Sequence, residues 1–288
     1  MRLITDLELP GSWTTPESQP HHQLTIELDA SIPETAPGAV LQWSAPIDGS
    51  RFSMDRSRDG SFIFRHGTGR HLLSADLKAL RCAPVDDEDP AWLRILLDSV
   101  LMSVALLAGH EGLHAGSVLI DDQAVAITAS AGGGKTTLIH ELRNRGHALL
   151  ADDITILDGR VAGSPLAIPG PPVMTLPDKL TGEAVVLMDL PGERWIAAEV
   201  SGAAAPLRTI VNLDRRPGVA TMIGPEPDLL GLMLGAFLNL PKTEKRIASR
   251  FELASRLASS CQILRITADP SITPAELSSL IESALDRS

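Results

Sequence analysis

The segment that decides the fold reads Ala129-Ser130-Ala131-Gly132-Gly133-Gly134-Lys135-Thr136-Thr137. It follows an apolar run from Ala124 to Thr128 and precedes a segment with helical periodicity from Leu138 to Arg145. A strand, a glycine-rich turn and a Lys-Thr pair at a helix start are typical of a phosphate-binding loop. Three consecutive glycines let the backbone wrap a phosphate, and the helix N-terminus adds partial positive charge there. The sequence therefore predicts a nucleotide-binding site.

Most of this segment is predicted to contact the nucleotide. Lys135 would reach the β- and γ-phosphates, and Thr136 would place its hydroxyl on Mg²⁺. The consensus has glycine where this chain has Ala129, and alanine accepts what that position requires except a left-handed backbone. The alternative is a glycine-rich turn with a chance lysine, which the flanking strand and helix disfavour. The predicted nucleotide contacts are Ala131, Gly132, Gly133, Gly134, Lys135, Thr136 and Thr137.

The composition limits the classes of function. The chain has 288 residues and a net charge of −11, which argues against non-specific binding to nucleic acid. Its two cysteines, Cys82 and Cys261, are too few and too far apart to suggest a disulfide framework or a zinc site. The first residues lack the apolar stretch of a signal peptide, and the most apolar run is far short of the ~20 residues that cross a bilayer. We therefore expect a cytoplasmic protein that binds neither membranes nor nucleic acid.

The periodicity changes along the chain and predicts two domains. Residues 1–88 form a small β-rich N-terminal domain, because apolar residues recur at every second position from His22 to about Val85. Residues 89–288 form the catalytic domain, which begins with a buried helix from Pro90 to Ala108 capped by Asp89. A hairpin leads through Asp121-Asp122-Gln123 into the glycine-rich loop.

The elements after the loop alternate between strands and helices. A capping box, Thr273-Pro274-Ala275-Glu276, opens the last helix. The remaining predictions are a buried strand over 147–151, a hairpin over 154–161, a Pro- and Gly-rich loop over 163–182, strands over 207–213 and 261–267, and helices over 226–240 and 243–259. The whole predicts an α/β fold.

Two adjacent carboxylates follow the strand that comes after the loop helix. Asp152 and Asp153 would lie beside the β- and γ-phosphates, where one carboxylate can hold Mg²⁺ and the other can accept the proton of an incoming hydroxyl. A solvated Asp-Asp turn or a helix N-cap is the alternative. His114, at the start of the hairpin that leads into the loop, is brought to the same edge of the sheet and is either catalytic or a hydrogen-bonded structural residue.

The segment from Leu113 to Leu157 resembles the catalytic core of the HPr kinase/phosphorylase family. The resemblance rests on His114-Ala115, Gly134-Lys135-Thr136, Arg145-Gly146-His147 and Ala151-Asp152-Asp153, in the order of that family. It implies a P-loop kinase core of the phosphoenolpyruvate carboxykinase type that uses ATP and Mg²⁺.

The resemblance also implies roles for individual residues. Asp152 would be the base towards a serine hydroxyl, Asp153 and Thr136 would bind the metal, and His114 would help to shape the site. Arg208 is the favoured catalytic arginine for the transferring phosphoryl group. Arg215 and Arg216 could do the same, and each of the three could equally form a surface ion pair.

One departure from the family concerns the substrate. The Leu-Glu-x-Arg-Gly signature is missing after the Asp-Asp pair, which makes HPr itself a poor candidate and leaves the reverse reaction in doubt. The overall pattern is nearer to divergent stand-alone members that phosphorylate precursor peptides in lasso-peptide biosynthesis.

The leading hypothesis is therefore a kinase that acts on a hydroxyl, favouring serine, of a peptide or small protein. The alternatives are a small-metabolite kinase and a non-catalytic nucleotide-binding regulatory module. Association of the chain into a homo-oligomer is left open.

Overall fold

The computed structural model describes residues 2–5, 7, 9, 23–35, 38–47, 49–161, 163–177, 180, 184–190, 193–238 and 244–286. These residues form a mixed α/β structure with several β-sheets, as the sequence predicts. The described residues fall into two compact units, each with most of its contacts inside itself. The first holds the described chain up to His110 together with residues 244–247, and the second holds residues 111–238 and 248–286.

The first unit contains one mixed seven-stranded sheet, in the order β1-β2-β7-β6-β5-β4-β3. The pairs β1–β2 and β2–β7 are parallel and the other pairs are antiparallel. This sheet accounts for the period of two in the sequence. Its strands are β1 (Arg2–Thr5), β2 (Gln23–Leu28), β3 (Val40–Ile47), β4 (Ser50–Arg56), β5 (Phe62–His66), β6 (Gly69–Leu73) and β7 (Ala79–Pro84).

A helical segment follows the sheet in the first unit. It consists of α1 (Ala91–Ile95), a π-helical turn (Leu96–Val100) and α2 (Leu101–Leu107). Asp89 was predicted to be the N-cap, but the cap position is Pro90, and the Asp89 carboxylate accepts a hydrogen bond from the Ala91 amide at 2.9 Å. The predicted boundary at residue 88 stays a prediction, and the contacts group this segment with the first unit.

The second unit is built around a nine-stranded sheet. Its main path runs β11-β9-β10-β17-β13-β12-β8, and β19 pairs with both β17 and β18. The strands are β8 (Glu111–Leu113), β9 (Gly116–Ile120), β10 (Gln123–Ala129), β11 (Ala148–Ala151), β12 (Thr155–Asp158), β13 (Leu166–Ile168), β17 (Ala205–Arg215), β18 (Met222–Pro225) and β19 (Gln262–Ala268). A separate three-stranded sheet contains β14 (Val173–Leu176), β15 (Val186–Leu190) and β16 (Glu193–Ala197).

Helices cover both faces of the large sheet. They are α3 (Lys135–Asn144), α4 (Leu229–Ala236), α5 (Glu244–Ser260) and α6 (Pro274–Leu285). On one face, Val125 and Ile127 of β10 pack with Leu138 of α3 and Ile281 of α6. On the other face, Ala124 and Ala126 of the same strand pack with Met233 of α4 and with Leu253 and Leu257 of α5. The sheet is therefore buried on both sides, which explains why β10 reads as a continuous apolar run.

Parallel pairing fixes the functional edge of this sheet. Strands β10, β17 and β19 are parallel, so their C-terminal ends lie at one edge. Strand β9 is antiparallel to both β10 and β11, which brings its N-terminal end to the C-terminal ends of those two strands. The loop after β10, the residues before β9 and the residues after β11 therefore meet.

Several predicted elements are confirmed and two are wrong. The hairpin β9–β10 is present, with Asp121 and Asp122 both at positive φ in its two-residue turn. Strand β12, however, pairs with β13 at 166–168 rather than with residues 160–161. The predicted Pro- and Gly-rich loop contains strands β13 and β14 in its described part. No helix among the described residues is long and apolar enough to cross a bilayer.

The N-cap of the last helix allows its contribution to the stability of the protein to be measured. The Thr273 hydroxyl accepts from the Glu276 amide at 3.2 Å, and the Glu276 carboxylate accepts from the Thr273 amide at 2.8 Å. We expect Thr273→Ala to lower the free energy of unfolding by about 1 kcal/mol, measured by urea denaturation. Thr273→Ser is the control because it keeps the hydroxyl. An equal loss in both variants would contradict the role of the cap.

Candidate active site

A glycine-rich turn joins β10 to α3 at the functional edge. Gly132 (φ +72°) and Gly134 (φ +93°) have left-handed backbones that side chains disfavour. A Cβ on Gly133 would lie 2.9 Å from the Ser130 carbonyl oxygen, so this position needs glycine for close approach. Ala129, where the consensus has glycine, is the last residue of β10 and does not have a positive φ. Alanine is therefore compatible with this loop.

The predicted nucleotide contacts all lie on this turn and on the first turn of α3. Ala131 and Gly132 are exposed, and Gly133, Gly134, Thr136 and Thr137 are half-buried. Gly134 is the N-cap of α3, and no side chain caps the helix. The amide groups of a helix's first turn lack partners within the helix, which makes this end of α3 suitable for an anion.

Lys135 connects three separate parts of the sequence. Its side chain is only 9% exposed, and its ammonium forms an ion pair with the Asp153 carboxylate. The Nζ atom also lies 3.3 Å from the Asp153 carbonyl oxygen and 3.4 Å from His114 Nε2. The structure thus brings together Lys135, Asp153 and His114, as the sequence predicts from their placement at strand ends.

His114 is held as a neutral ring. Burial lowers its pKa, the charge of Lys135 lowers it further, and the charge of Asp153 acts in the opposite direction. Because an ammonium only donates hydrogen bonds, Nε2 is the acceptor towards Lys135 and the ring proton lies on Nδ1. That atom is 3.6 Å from Asp153 Oδ2.

Asp152 has a different environment from Asp153. Its Oδ2 accepts a hydrogen bond from the Thr175 amide of β14 at 2.7 Å. Its Oδ1 is shielded from solvent and has no hydrogen-bond partner in the described part of the chain, although the residue as a whole is only half-buried. Burial, with a contribution from the Asp153 charge, raises the pKa of Asp152 to about 7. A carboxyl group with this pKa can accept a proton near neutral pH.

Three glycine and threonine positions that the sequence did not single out shape this edge. A Cβ on Gly116 would lie 2.2 Å from the Asp152 carbonyl oxygen, so glycine allows β9 and β11 to approach. The Thr128 hydroxyl donates to the His114 carbonyl at 3.2 Å. The buried Thr155 hydroxyl donates to the Ala115 carbonyl at 2.7 Å. A glycine at a strand start is a recognisable signal of close backbone approach, whereas the threonine contacts depend on tertiary structure.

The oxygen atoms of Thr136 and Asp153 fit a magnesium ion in kind. Mg²⁺ prefers oxygen ligands and is commonly held by one or two protein groups together with phosphate and water. The Asp153 side chain is 52% exposed. Thr136, which follows Lys135 in the sequence, is half-buried. Within the described ranges, no group of three or more His, Cys, Asp or Glu side chains forms a closed metal site.

The structure does not bring Arg208 to this group. Leu213 of β17 pairs with Ala129 at the loop, and Arg208 lies five residues earlier, or roughly 16 Å along the strand. Arg208 therefore lies away from the other predicted site residues, and its catalytic role stays a prediction. Arg215 is at the correct end of β17 but donates to the Pro270 and Ile272 carbonyls, at 2.9 and 2.8 Å. Arg216 pairs with Asp214 at 2.6 Å.

Comparison with known proteins gives remote similarity to solved structures. No protein-family model matches the sequence, and no curated protein matches it. Among solved structures, the HPr(Ser) kinase/phosphatase from Coxiella burnetii aligns with a TM-score of 0.35 and 17% sequence identity. The alignment covers 61% of this chain and 91% of that protein. A TM-score of this size does not establish a common fold.

Gly116 provides a test of the close approach between β9 and β11. We expect Gly116→Ala to lower the free energy of unfolding by about 1–3 kcal/mol, because the new methyl group would overlap the Asp152 carbonyl and Ile139. Urea denaturation measures the loss. Gly202→Ala is the control, since a Cβ there meets nothing within 4 Å. Equal stabilities of the two variants would contradict the steric argument.

Asp152 gives a pH dependence of stability. Its pKa of about 7 in the folded protein exceeds the ordinary aspartate value, so the folded state binds a proton that the unfolded chain releases between about pH 4 and 7. The stability from this proton is present at low pH and is lost as the pH rises through 7. We expect Asp152→Asn to become progressively more stable relative to the unsubstituted protein over this range, measured by urea denaturation. A constant difference would contradict the raised pKa.

Proposed function

We propose that this protein is a kinase that transfers the γ-phosphoryl group of ATP to a serine hydroxyl of a peptide or small protein. One observation carries the proposal. The nearly buried Lys135 ammonium at the end of a glycine-rich turn contacts Asp153 and His114. Asp152, which precedes Asp153, lies at the same strand end. Phosphoryl transfer needs positive charge, a metal-binding carboxylate and a base at one place, and these residues supply each of them.

The nucleotide part of the site is the turn together with the N-terminus of α3. Its amide groups and the Lys135 ammonium provide hydrogen-bond donors for phosphate oxygens. ATP would supply the transferable phosphoryl group, and Mg²⁺ would neutralise its charge. The Thr136 hydroxyl and the Asp153 carboxylate are the protein oxygens that would hold the ion. An anion at the turn competes with Asp153 for Lys135, which would free the carboxylate for this role.

The two aspartates are suited to different tasks. Asp152 has a pKa of about 7, and its oxygen Oδ1 has no hydrogen-bond partner within the described ranges. We assign it the role of the base that takes the proton of the acceptor hydroxyl. The hydrogen bond from the Thr175 amide fixes its other oxygen and hence the orientation of the carboxylate. His114, as a neutral ring, keeps Lys135 and Asp153 in position.

The acceptor is proposed from the elements beside Asp152. Strand β14, which carries Thr175, belongs to a three-stranded sheet that offers backbone and side chains next to the base. A peptide needs a more extended surface than a metabolite, and this sheet is suitable for one. A precursor peptide of the lasso type is the specific substrate that we propose, in accordance with the resemblance of the overall sequence pattern to divergent stand-alone members of the family.

The nucleotide half of the proposal is tested with Lys135→Met, which removes the charge and keeps the length of the side chain. We expect binding of Mg-ATP, measured by calorimetry, to weaken by at least about tenfold, because a charge-assisted contact to phosphate is lost. Lys78→Met, at a lysine in the turn before β7, is the matched control and should bind as the unsubstituted protein does. Unchanged binding in Lys135→Met would contradict the phosphate site.

The transfer half needs a separate measurement. The protein is incubated with Mg-ATP and a library of serine-containing peptides, and products are identified by mass spectrometry. We expect a subset of peptides to gain one phosphoryl group, and we expect Asp152→Asn to lose this activity while it still binds Mg-ATP. Matched peptides with alanine in place of serine should stay unmodified. Binding of Mg-ATP without transfer to any peptide would overturn the proposed kinase activity.

A further inference from the structure

The seven-stranded sheet of the first unit carries a cleft of about 490 Å³. This volume is within the range of small-molecule sites. The cleft lies on the face of the sheet to which Ser53, Asp55 and Arg65 point, because Ser53 pairs with Arg65 and Asp55 pairs with Leu41 in the strand register. Its walls are formed by Ala39, Leu41, Arg51, Ser53, Asp55 and Arg65, and His66 borders it.

Buried polar side chains form part of the cleft. Ser53 and Asp55 are each only 6% exposed, while the alternate residues of β4, Phe52 and Met54, enter the apolar core. The solvated face of an ordinary antiparallel sheet would leave such side chains in water. Here the Arg65 guanidinium pairs with Asp55 and donates to the Glu34 carbonyl at 3.1 Å. The cleft is therefore a partly open groove whose lining includes buried polar side chains.

Asp55 is left with an unused acceptor. One oxygen, Oδ2, forms the ion pair with Arg65, but Oδ1 is buried and has no hydrogen-bond partner among the residues that the structure describes. A buried acceptor without a partner costs free energy, and such groups are uncommon in folded proteins. The Ser53 hydroxyl also makes no hydrogen bond to the described part of the chain. An N–H donor that entered the cleft at Ser53 and Asp55 would supply the missing contact.

Among the described residues that line the cleft, the positive charge of Arg51 is uncompensated. Arg65 and Asp55 neutralise each other, and burial lowers the pKa of His66 to about 4, which leaves that ring neutral. Arg51 is exposed, and its guanidinium donates to the Ser44 hydroxyl at 3.1 Å with no carboxylate partner among the described residues. Guanidinium groups bind carboxylates with two parallel hydrogen bonds. Arg51 is therefore available to a ligand anion.

We propose that this cleft binds a ligand in which a carboxylate is adjacent to an N–H donor, as in a free amino acid or the C-terminal residue of a peptide. The carboxylate contacts Arg51, and the N–H group contacts Ser53 and Asp55. The apolar side chains of Ala39 and Leu41 bound the space beside them. This site does not depend on the proposed phosphotransfer, because its residues lie in the first unit and the glycine-rich turn lies in the second.

Calorimetric titration of the full chain tests the site with defined probes. The first arm uses each of the twenty amino acids, and the second uses N-acetyl-alanyl-alanine with its C-terminal amide as the matched neutral analogue. We expect saturable binding of at least one free carboxylate and none of the amide. Which arm binds distinguishes a free amino acid from a peptide end.

Two variants locate the binding in the cleft. Arg51→Gln should weaken it by at least about tenfold, since a charge-assisted contact is lost. Arg56→Gln is the control, because Arg56 is an exposed arginine of the same strand that does not line the cleft. Circular dichroism verifies that both variants are folded. The proposal is overturned if no carboxylate probe binds, if the amide binds equally well, or if Arg51→Gln and Arg56→Gln behave alike.

Discussion

The buried charge of Lys135 is the constraint on which the functional edge of the second unit depends. An ammonium with a side chain 9% exposed is costly unless it is paired, and Asp153 and His114 provide its partners. These partners come from the segments before β9 and after β11, so satisfying one charge fixes the relative positions of three strand ends. Gly116 makes this arrangement sterically feasible, because any larger residue would separate β9 from the Asp152 carbonyl.

The two neighbouring aspartates are chemically identical, but their environments differ. Asp153 faces Lys135 and remains half-exposed, whereas Asp152 is shielded and is fixed by the Thr175 amide. Burial raises the pKa of Asp152 to about 7, and different environments of this kind are how proteins give two carboxyl groups different tasks. The distinction is a property of tertiary structure, since both residues follow the same strand.

The local patterns predicted much of the second unit, and the long-range contacts explain the rest. The strand, glycine turn and helix around Lys135, the hairpin at Asp121-Asp122 and the capping box at Thr273 are each specified within a few residues, and the structure contains all three. The meeting of His114 with Asp153 followed from strand directions. Strand β13 was missed because Pro and Gly surround it and one of its partners, β17, is distant in sequence. Arg208 lies away from the loop because position along β17, and not charge, decides which end of the sheet an arginine reaches, and its catalytic role stays a prediction.

The hydrogen bond from the Thr175 amide to Asp152 has a thermodynamic consequence. It stabilises the ionised carboxylate, whereas the burial around it stabilises the protonated form. Displacement of β14 would change both contributions, so the proton affinity of Asp152 and the position of that strand are coupled. Such coupling is reciprocal: whatever shifts β14 alters proton uptake at Asp152, and protonation of Asp152 alters the free energy of shifting β14 by the same amount. Strand β14 and the titrating carboxyl thus form one linked equilibrium.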